Sequence, residues 1–289
     1  MYTHLHVHTE YSMLDGLSRI EPLVRRAAEL GMNSLAITDH GGMYGAIDFY
    51  RFVREAGLNP IIGSEIYIAP GSRHDKNPQE KSPFHATVLA RDARGYQNLV
   101  KLVTKAHLEG FYYKPRVDRE LLEQHREGLT LLSGCPSGEV PSLITQGRMD
   151  DARATASWYK EVFGEYYLEL MEHGGVHQLP AINKGLMELH RALDIPVVAT
   201  NDCHYVFKED AALQDILICI HTNTNVKDGR RLRMAEDSYY LKSPGEMEAL
   251  FPELPDAIAN TQHIAETCGL ELDFSQLRLP EFNVPDGTT

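Results

Sequence analysis

Residues 3–40, THLHVHTEYSMLDGLSRIEPLVRRAAELGMNSLAITDH, hold the pattern of a complete strand–helix–strand unit. THLHVH (3–8) alternates with the period of two that is typical of a strand. Apolar residues recur at helical spacing between positions 20 and 30, and Gly31 stands where a helix commonly ends. NSLAIT (33–38) is a short apolar run that predicts the next strand.

The same rhythm continues along the chain. Short aliphatic or β-branched runs predict further strands at 60–69, 84–90, 129–133, 165–170 and 195–202. Amphipathic stretches predict further helices at 46–56, 94–109, 150–163, 178–193 and 210–220. Seven alternations of strand and helix indicate a parallel β/α architecture, either a barrel or a doubly wound sheet.

Composition sets the class of protein. The chain has 289 residues, of which 43% are hydrophobic and 24% charged, so it can bury the core of one large α/β domain or of one domain with a small appendage. It contains no apolar run long enough for a transmembrane helix and no signal peptide, so we expect no membrane partner. The four cysteines are widely spaced, which favours a reducing cytoplasm.

The charge balance is acidic. A formal net charge of −13 argues against a stand-alone, non-specific nucleic-acid binder, because the surface repels phosphates on average. It does not argue against an enzyme that acts on a phosphodiester at a metal site, because bound cations reverse the local sign.

Residues with metal-binding side chains fall at the ends of the predicted strands. His6 and His8 are two apart on a strand and therefore project from the same face, and Asp202 and His204 repeat that spacing. In a β/α barrel the C-terminal ends of the strands converge on one mouth, where active sites are built. The residues gathered there would be His6, His8, Asp15, His40, Glu65, His85, Cys135, Asp202 and His204.

These ligand types suit Zn²⁺, Mn²⁺ or Fe²⁺. Nine ligands exceed what one ion uses, so two or three ions would share them. Glu65 is the natural bridge, because a carboxylate has two oxygens. Two neighbouring ions can activate a water and stabilise the attacking and leaving oxygens of a phosphoryl transfer.

Each motif taken alone has an ordinary structural reading. Two alternating histidines can simply pack, Thr38-Asp39 after a strand is a common helix cap, and Cys135 can be a small buried hydrophobe. The joint pattern is different, because the structural reading requires every one of these residues to be accidental. The combination therefore favours a metal centre.

Seven blocks of the sequence resemble the polymerase and histidinol phosphatase (PHP) domain, in the form found in bacterial replicative DNA polymerase III alpha subunits. The blocks are THLHVHTEYSMLDG (3–16), AITDHGGMYGAIDFY (36–50), PIIGSEIYIA (60–69), YQNLVKL (96–102), GFYYKPRVD (110–118), LSGCPSGE (132–139) and VVATNDCHYV (197–206). The resemblance runs from residue 1 to about 285. It implies a distorted (β/α)7, TIM-like barrel with the metal site at the C-terminal mouth of its strands.

The resemblance also implies three divalent metal ions and their ligands. The first ion would be held by His6, His8, Glu65 and Asp202; the second by Glu65, His85 and Cys135; the third by Asp15, His40 and His204. The intact set implies a phosphoesterase, in particular a 3′→5′ exonuclease that proofreads DNA during replication. The catalytic group would be a metal-bound water held by the four ligands of the first ion.

Further expectations concern substrate and partners. We expect Arg116 to steady a substrate phosphate, although a solvated loop arginine is an equal reading, and Tyr11 and Tyr112 either to stack on bases or to pack. The partners implied are a DNA 3′ end, the remaining domains of a DNA-directed DNA polymerase (a nucleotidyltransferase), and proofreading or clamp proteins of the replisome.

The end of the chain has a different composition. DSYYLKSPGEMEALF (237–251) and ELPDAIANTQHIAETC (253–268) predict a short strand and two helices, whereas LRLPEFNVPDGTT (277–289) is rich in Pro and Gly. We expect residues 1–275 to form the PHP barrel domain and residues 276–289 to be an exit linker toward absent polymerase domains. A natural flexible terminus is the alternative.

Two rival functions remain open at this point. One is a small-molecule phosphatase of the histidinol-phosphatase type, which would share the metals and differ in substrate. The other is a catalytically silent domain that stabilises the polymerase or binds a partner.

Overall fold

A computed structural model of the chain describes residues 1–78 and 82–275. The strands are β1 Ser34–Ile37, β2 Asn59–Ile68, β3 Phe84–Ala90, β4 Arg116–Val117, β5 Leu129–Leu132, β6 Tyr166–Leu170 and β7 Val197–Ala199. The helices are α1 Ile20–Glu29, α2 Ala46–Glu55, α3 Ala93–Leu108, α4 Arg119–Gln124, α5 Glu139–Thr145, α6 Met149–Phe163, α7 Leu179–Leu193, α8 Ala211–His221, α9 Pro244–Leu250 and α10 Pro255–Thr267. Within these residues, no helix is both long and apolar enough to cross a membrane.

The predicted helices form where the apolar spacing placed them. The six helices predicted between residues 20 and 220 correspond to α1, α2, α3, α6, α7 and α8. Each begins and ends within one residue of its predicted limits. Local signals fix the ends: Gly31, just beyond α1, has φ +74°, and the Asp92 side chain caps α3 by accepting from the Gly95 N–H. The two helices predicted near the end are α9 and α10, but the predicted strand between 237 and 251 is only a single bridge between Tyr205 and Tyr240.

The strands form one seven-stranded sheet in the order β1-β2-β3-β5-β6-β7, with β4 beside β2. Most pairs are parallel, as expected, but β3 is antiparallel to both of its neighbours. The short connection between β2 and β3 contains no helix among its described residues, so the chain turns back instead of crossing over. As a result the beginning of β3, with His85 paired to Tyr67, lies at the edge where the parallel strands end.

The segment 3–8 was predicted as a strand but makes only one bridge, from Val7 to Cys203. Its backbone nevertheless bonds to both edges of the sheet. On one side the Ala36 N–H donates to His4 O at 3.1 Å; on the other the Cys203 N–H donates to His6 O at 3.0 Å. The segment therefore lies between β1 and the residues after β7, and it closes the curled sheet into a distorted, TIM-like barrel.

The interior of this barrel is packed with apolar side chains. Six strands and the 3–8 segment each contribute one buried residue to a single cluster, to which α10 adds two and the residue after it one more. The members are Leu5, Ala36, Ile61, Leu89, Leu132, Tyr167, Val198, Ile264, Ala265 and Cys268. This apolar layer fills the interior of the barrel. The candidate metal ligands therefore lie beyond it, toward the C-terminal ends of the parallel strands.

The described residues extend through α10 to residue 275, and Thr3 N–H donates to Thr261 Oγ1 of α10 at 3.1 Å. The N-terminal segment and the last helix thus belong to one packed body. The predicted linker at 276–289 lies outside the described residues.

Candidate metal centre

Four side chains converge at the mouth of the barrel. His6 Nε2 and His8 Nε2 lie 3.1 Å apart, and Asp202 Oδ1 lies 3.3 Å from the first and 3.1 Å from the second. Glu65 approaches the same nitrogens at 3.7 and 3.8 Å. Bonds of about 2.0–2.2 Å to a tetrahedral ion would hold ligand atoms roughly 3.4 Å apart, so these spacings fit one ion.

A second group surrounds Oε1 of Glu65, the oxygen that also approaches His6. His85 Nδ1 lies 2.8 Å from Glu65 Oε1, and Cys135 Sγ lies 3.6 Å from that oxygen and 3.7 Å from the imidazole nitrogen. Cys135 follows β5 in a turn that requires Gly134, whose φ is +83° and which stands against the His85 carbonyl. Thiolate, imidazole and carboxylate together form a donor set that Zn²⁺ accepts.

A third group joins Asp15, His40 and His204. The Asp15 carboxylate lies 3.2 Å from His40 Nε2 and 3.7 Å from His204 Nε2. His8 lies beside both imidazoles, with ring centroids at 4.1 and 4.4 Å, and the three histidines offer nitrogen atoms within 4.8 Å of one another. Gly16 shapes the turn that presents Asp15, because a Cβ there would lie 2.0 Å from Thr9 O.

Buried polar atoms of the centre lack hydrogen-bond partners among the described residues. They are Asp15 Oδ1, His40 Nδ1, Glu65 Oε2 and Asp202 Oδ1. His40 Nδ1 and Glu65 Oε2 are in close contact without hydrogen-bond geometry. Such atoms are costly to bury unpaired, and a cation is the partner that carboxylate oxygens and imidazole nitrogens have in common.

Asp202 owes its position to an uncommon backbone conformation. The strand β7 ends at Ala199, and Asp202 has φ +48°, in the left-handed region that non-glycine residues seldom occupy. Strain of this kind persists where surrounding contacts enforce it, often at functional sites. Cys203, between Asp202 and His204, points away from the centre, and its Sγ lies 3.3 Å from His4 Nδ1.

The charges of the site reinforce one another. Burial alone would lower the pKa of His6, but the carboxylates of Asp202 and Glu169 outweigh it and raise the pKa to about 10. Burial raises the pKa of Asp15, but His204 and His40 lower it to about 2. Burial, together with Glu65 and Asp202, holds the pKa of the Cys135 thiol well above its usual value. A cation among these ligands would favour the thiolate, which is the form that binds metal.

Glu169 in β6 was not among the predicted site residues, yet it orients His6. The side chain is 2% exposed, and its Oε1 accepts from His6 Nδ1 at 2.7 Å and from Thr200 Oγ1 at 2.7 Å. Its Oε2 accepts from Gly134 N–H at 3.0 Å. This places the His6 proton on Nδ1 and leaves Nε2 for an ion. The only signal in the sequence was a carboxylate inside the otherwise apolar or aromatic strand YYLEL.

His8 is oriented by a second carboxylate through a hydroxyl. Ser12 Oγ donates to Asp39 Oδ1 at 2.7 Å, so it accepts from His8 Nδ1 at 2.9 Å. Asp39 also accepts from the N–H and hydroxyl of Thr9. Both histidines of the His-Val-His pair therefore direct Nε2 into the centre, and Ser12 and Asp39 join Glu169 as functional residues that the sequence reading missed.

Replacing Glu169 by glutamine is expected to weaken binding of the ion at His6 by about 10- to 100-fold. The amide cannot accept from His6, Thr200 and Gly134 as the carboxylate does. Competition with a chromophoric chelator measures the affinity. Glu188→Gln on the exposed face of α7 is the matched control, and equal affinities for the two variants would contradict the orienting role of Glu169.

The prediction that Arg116 binds substrate is corrected by its surroundings. The residue is 2% exposed in β4, and its guanidinium donates to Gly110 O at 3.0 Å, Arg73 O at 3.0 Å and Asp75 O at 2.6 Å. These carbonyls already engage three of its N–H groups. Arg116 therefore holds neighbouring loops together and does not face a substrate phosphate.

Arg116→Ala is expected to lower the free energy of unfolding by roughly 3 kcal/mol, because the buried carbonyls lose charged donors. Urea denaturation measures the change, with exposed Arg153→Ala on α6 as the control. A variant of unchanged stability that binds substrate less well would restore the original expectation.

The two tyrosines predicted to stack or pack lie in different settings. Tyr11 packs against the cluster that contains Ile37 and Ala46. Tyr112 contacts the Arg116 guanidinium at 5.2 Å and the Tyr113 ring at 4.7 Å. The neighbouring Tyr113, at a tight turn with φ +59°, lines a cavity beside His85.

Comparison with known proteins agrees with this description. The sequence profile of the PHP domain matches residues 4–173. DNA polymerase III subunit alpha of Treponema pallidum is 44% identical over 288 residues, which are 98% of this chain and 24% of that protein. The corresponding subunit of Thermus aquaticus is 41% identical over 300 residues, 100% of this chain and 24% of that protein. The chain thus spans about a quarter of the length of these relatives.

Among solved structures the likenesses are distant. A two-domain protein from Bacteroides vulgatus, described as containing a predicted PHP-like metal-dependent phosphoesterase, is 14% identical with a TM-score of 0.41; the match covers 93% of this chain and 69% of that one. An amidohydrolase from Chromobacterium violaceum is 14% identical with a TM-score of 0.42, covering 71% and 88%. The profile match, which extends over more than half of the chain, establishes that this protein belongs to the PHP domain family.

Proposed function

We propose that the chain is a metal-dependent phosphodiesterase domain that removes nucleotides from the 3′ end of DNA, as the proofreading part of a polymerase alpha subunit. The observation that carries the proposal is the convergence of His6 Nε2, His8 Nε2 and Asp202 Oδ1 within 3.1–3.3 Å of one another. The relatives are named as subunits of a DNA polymerase, for which a DNA 3′ end is the phosphodiester at hand.

We propose three divalent ions, one for each of the three groups of ligands. Ions of Zn, Mn or Fe fit the donor types. When bound, they supply Lewis acidity and a more acidic water. The first ion takes His6, His8, Glu65 and Asp202, the second takes Glu65, His85 and Cys135, and the third takes Asp15, His40 and His204.

The chain's own residues prepare this chemistry. Glu169 and Ser12 fix the imidazoles of His6 and His8, so little reorganisation is needed when an ion or a charged phosphate arrives. Glu65 is 1% exposed and contacts ligands of all three groups, so a single carboxylate would serve neighbouring ions. His40 and His85 both pack against the Tyr67 ring, which limits how far either imidazole can turn.

The relatives' length gives the chain its setting. We infer that residues 1–275 are the PHP domain of a longer polymerase and that residues 276–289 connect it to the remaining domains. Those domains would deliver the DNA strand end and would hold most of the duplex. Proofreading and clamp proteins of the replisome are further partners in this arrangement.

The test compares two substrates with the purified chain. Hydrolysis of 3′-ended single-stranded DNA and of histidinol phosphate is measured with added Mn²⁺ or Zn²⁺, beside elemental analysis of bound metal. We expect nucleotide release from DNA that is lost in Asp202→Asn, because that variant removes a carboxylate ligand. Phosphate release from histidinol phosphate alone would replace the proposal with a small-molecule phosphatase.

A domain without catalytic activity would give a third result in this assay. DNA degradation that continues unchanged in Asp202→Asn would come from a contaminant. Absence of hydrolysis of either substrate by metal-loaded protein would assign the ions to stability or partner binding.

A further inference from the structure

A groove opens directly beside the metal centre. It has a volume of about 490 Å³ and reaches from His85 and Tyr67 past Tyr113 and Lys114 to Pro136 and Ser137. Its volume falls in the range of about 300–1,000 Å³ that is usual for small-molecule sites. A second depression of about 350 Å³ shares Pro136, Ser137, Ser142 and Gln146 with it and continues to Gln178.

The charge of this groove differs from that of the whole chain. The protein carries 41 Asp and Glu residues against 28 Lys and Arg, yet no carboxylate is present among the described residues that line the groove. Lys114 is the one lysine or arginine among those lining residues. A groove whose described lining holds a lysine and no carboxylate, at the edge of an acidic protein, suits an anionic ligand.

Lys114 is held in place next to the ligands of the metal centre. Its Nζ lies 5.1 Å from the centroid of the Tyr67 ring and donates to the Tyr67 hydroxyl at 3.4 Å. The same ring packs edge-on against His85, with centroids 5.0 Å apart. One aromatic ring therefore separates the ammonium group from a ligand of the centre, so an anion bound by Lys114 would adjoin a group bound at the ions.

Tyr113 lines the same groove. Its side chain is 62% exposed, and its φ of +59° is unusual for a bulky residue. The turn that carries it is closed by the Tyr112 N–H donating to Lys114 O at 3.0 Å. An exposed ring, a cation and hydroxyl or amide groups are the combination that binds single-stranded nucleic acid.

From this arrangement we infer that the groove binds the nucleotide on the 5′ side of the scissile phosphodiester in a single DNA strand. Lys114 pairs with its phosphate and Tyr113 stacks on its base. The neighbouring depression receives the preceding nucleotide. The inference rests on the proposed function, because the groove is assigned relative to a strand end bound at the metal centre.

Binding of a strand tests the inference without relying on turnover. The probe is a 5′-fluorescein-labelled single-stranded oligonucleotide with 3′-terminal phosphorothioate linkages, titrated by fluorescence anisotropy in the presence of the bound metal. Lys114→Ala is expected to weaken binding roughly tenfold. It also lowers the slope of log affinity against log salt by about 0.7, as expected for one lost phosphate contact with a single strand.

Matched variants separate this effect from net charge and folding. Lys101→Ala, on the exposed face of α3, removes the same charge and is expected to bind within about twofold of the parent chain. Tyr113→Ala is expected to lose about tenfold in affinity, whereas Tyr113→Phe keeps the ring and the affinity. If Lys114→Ala melts at a lower temperature than the parent, Lys114→Gln gives the same comparison.

The outcomes distinguish this inference from the proposed function. Equal affinities for Lys114→Ala and Lys101→Ala, or equal salt slopes, overturn the groove even if the protein hydrolyses DNA. The predicted losses in binding, in a chain that hydrolyses no DNA, would support the groove and reject the exonuclease. Failure of the parent chain to bind the strand in the micromolar range overturns the inference.

Discussion

Replacing Glu65 by glutamine is expected to reduce phosphodiester hydrolysis by about 10³-fold or more, the equivalent of several kcal/mol of lost transition-state stabilisation. One oxygen of Glu65 lies 2.8 Å from His85 Nδ1, and the other lies 3.8 Å from His8 Nε2 and in contact with His40. An amide has one oxygen, and its nitrogen does not ligate these ions. The variant therefore loses the carboxylate that joins the groups of ligands. It also loses the metal that Glu65 would hold.

Elemental analysis and nucleotide release measure the two losses in one preparation. Glu188→Gln, which makes the same change on an exposed surface of α7, should keep both metal and activity. A Glu65→Gln protein with full metal content and full activity would show that the ligand groups do not share this residue.

Removing metal with a strong chelator is expected to lower the melting temperature by roughly 10 °C. Bound ligand at about a thousand times its dissociation constant stabilises a protein by about 4 kcal/mol. Each kcal/mol moves the melting point of a domain near this size by about 2–4 °C. The effect is large because the ligands lie on distant parts of the chain: the 3–8 segment, β2, β3 and the residues after β5 and β7.

The chelator experiment has an internal control. Glu65→Gln, which is expected to lose the two ions that Glu65 would hold, should melt below the parent, and chelator should lower its melting temperature by less than it lowers that of the parent. A parent chain whose melting temperature stays constant after metal removal, verified by elemental analysis, would mean that the ions contribute nothing to folding.

The orientation of the first two histidines explains why the His-Val-His motif is uninformative in isolation. His6 and His8 are useful ligands only because Glu169 and Ser12 place their protons on Nδ1. Those partners are 163 and 4 residues away in the chain. No local pattern links Glu169 to His6, which is why a reading of strand ends found the ligands and not the group that orients them.

The sequence by itself predicted eight of the ten α-helices among the described residues, all but α4 and α5, and the types of side chain that meet in the candidate site. Helix limits follow from local signals, namely apolar spacing and end residues such as Gly31 and Asp92, and these need no information from distant residues. The nine candidate ligands drew attention because most of them lie at or just beyond the ends of apolar runs, although His6, Glu65 and His85 lie within theirs. The parallel β/α rhythm also indicated the barrel class.

Only the tertiary structure decided how those parts meet. The direction of β3 depends on how the connection from β2 packs, in which the described residues form no helix, and this reversal brings His85, at the start of its strand, beside Glu65. The 3–8 segment closes the barrel through bonds to Ala36 and Cys203, and the loops around β4 bury Arg116 against three carbonyls. Strand direction, closure and burial all depend on contacts between residues far apart in sequence, and local patterns carry no record of such contacts.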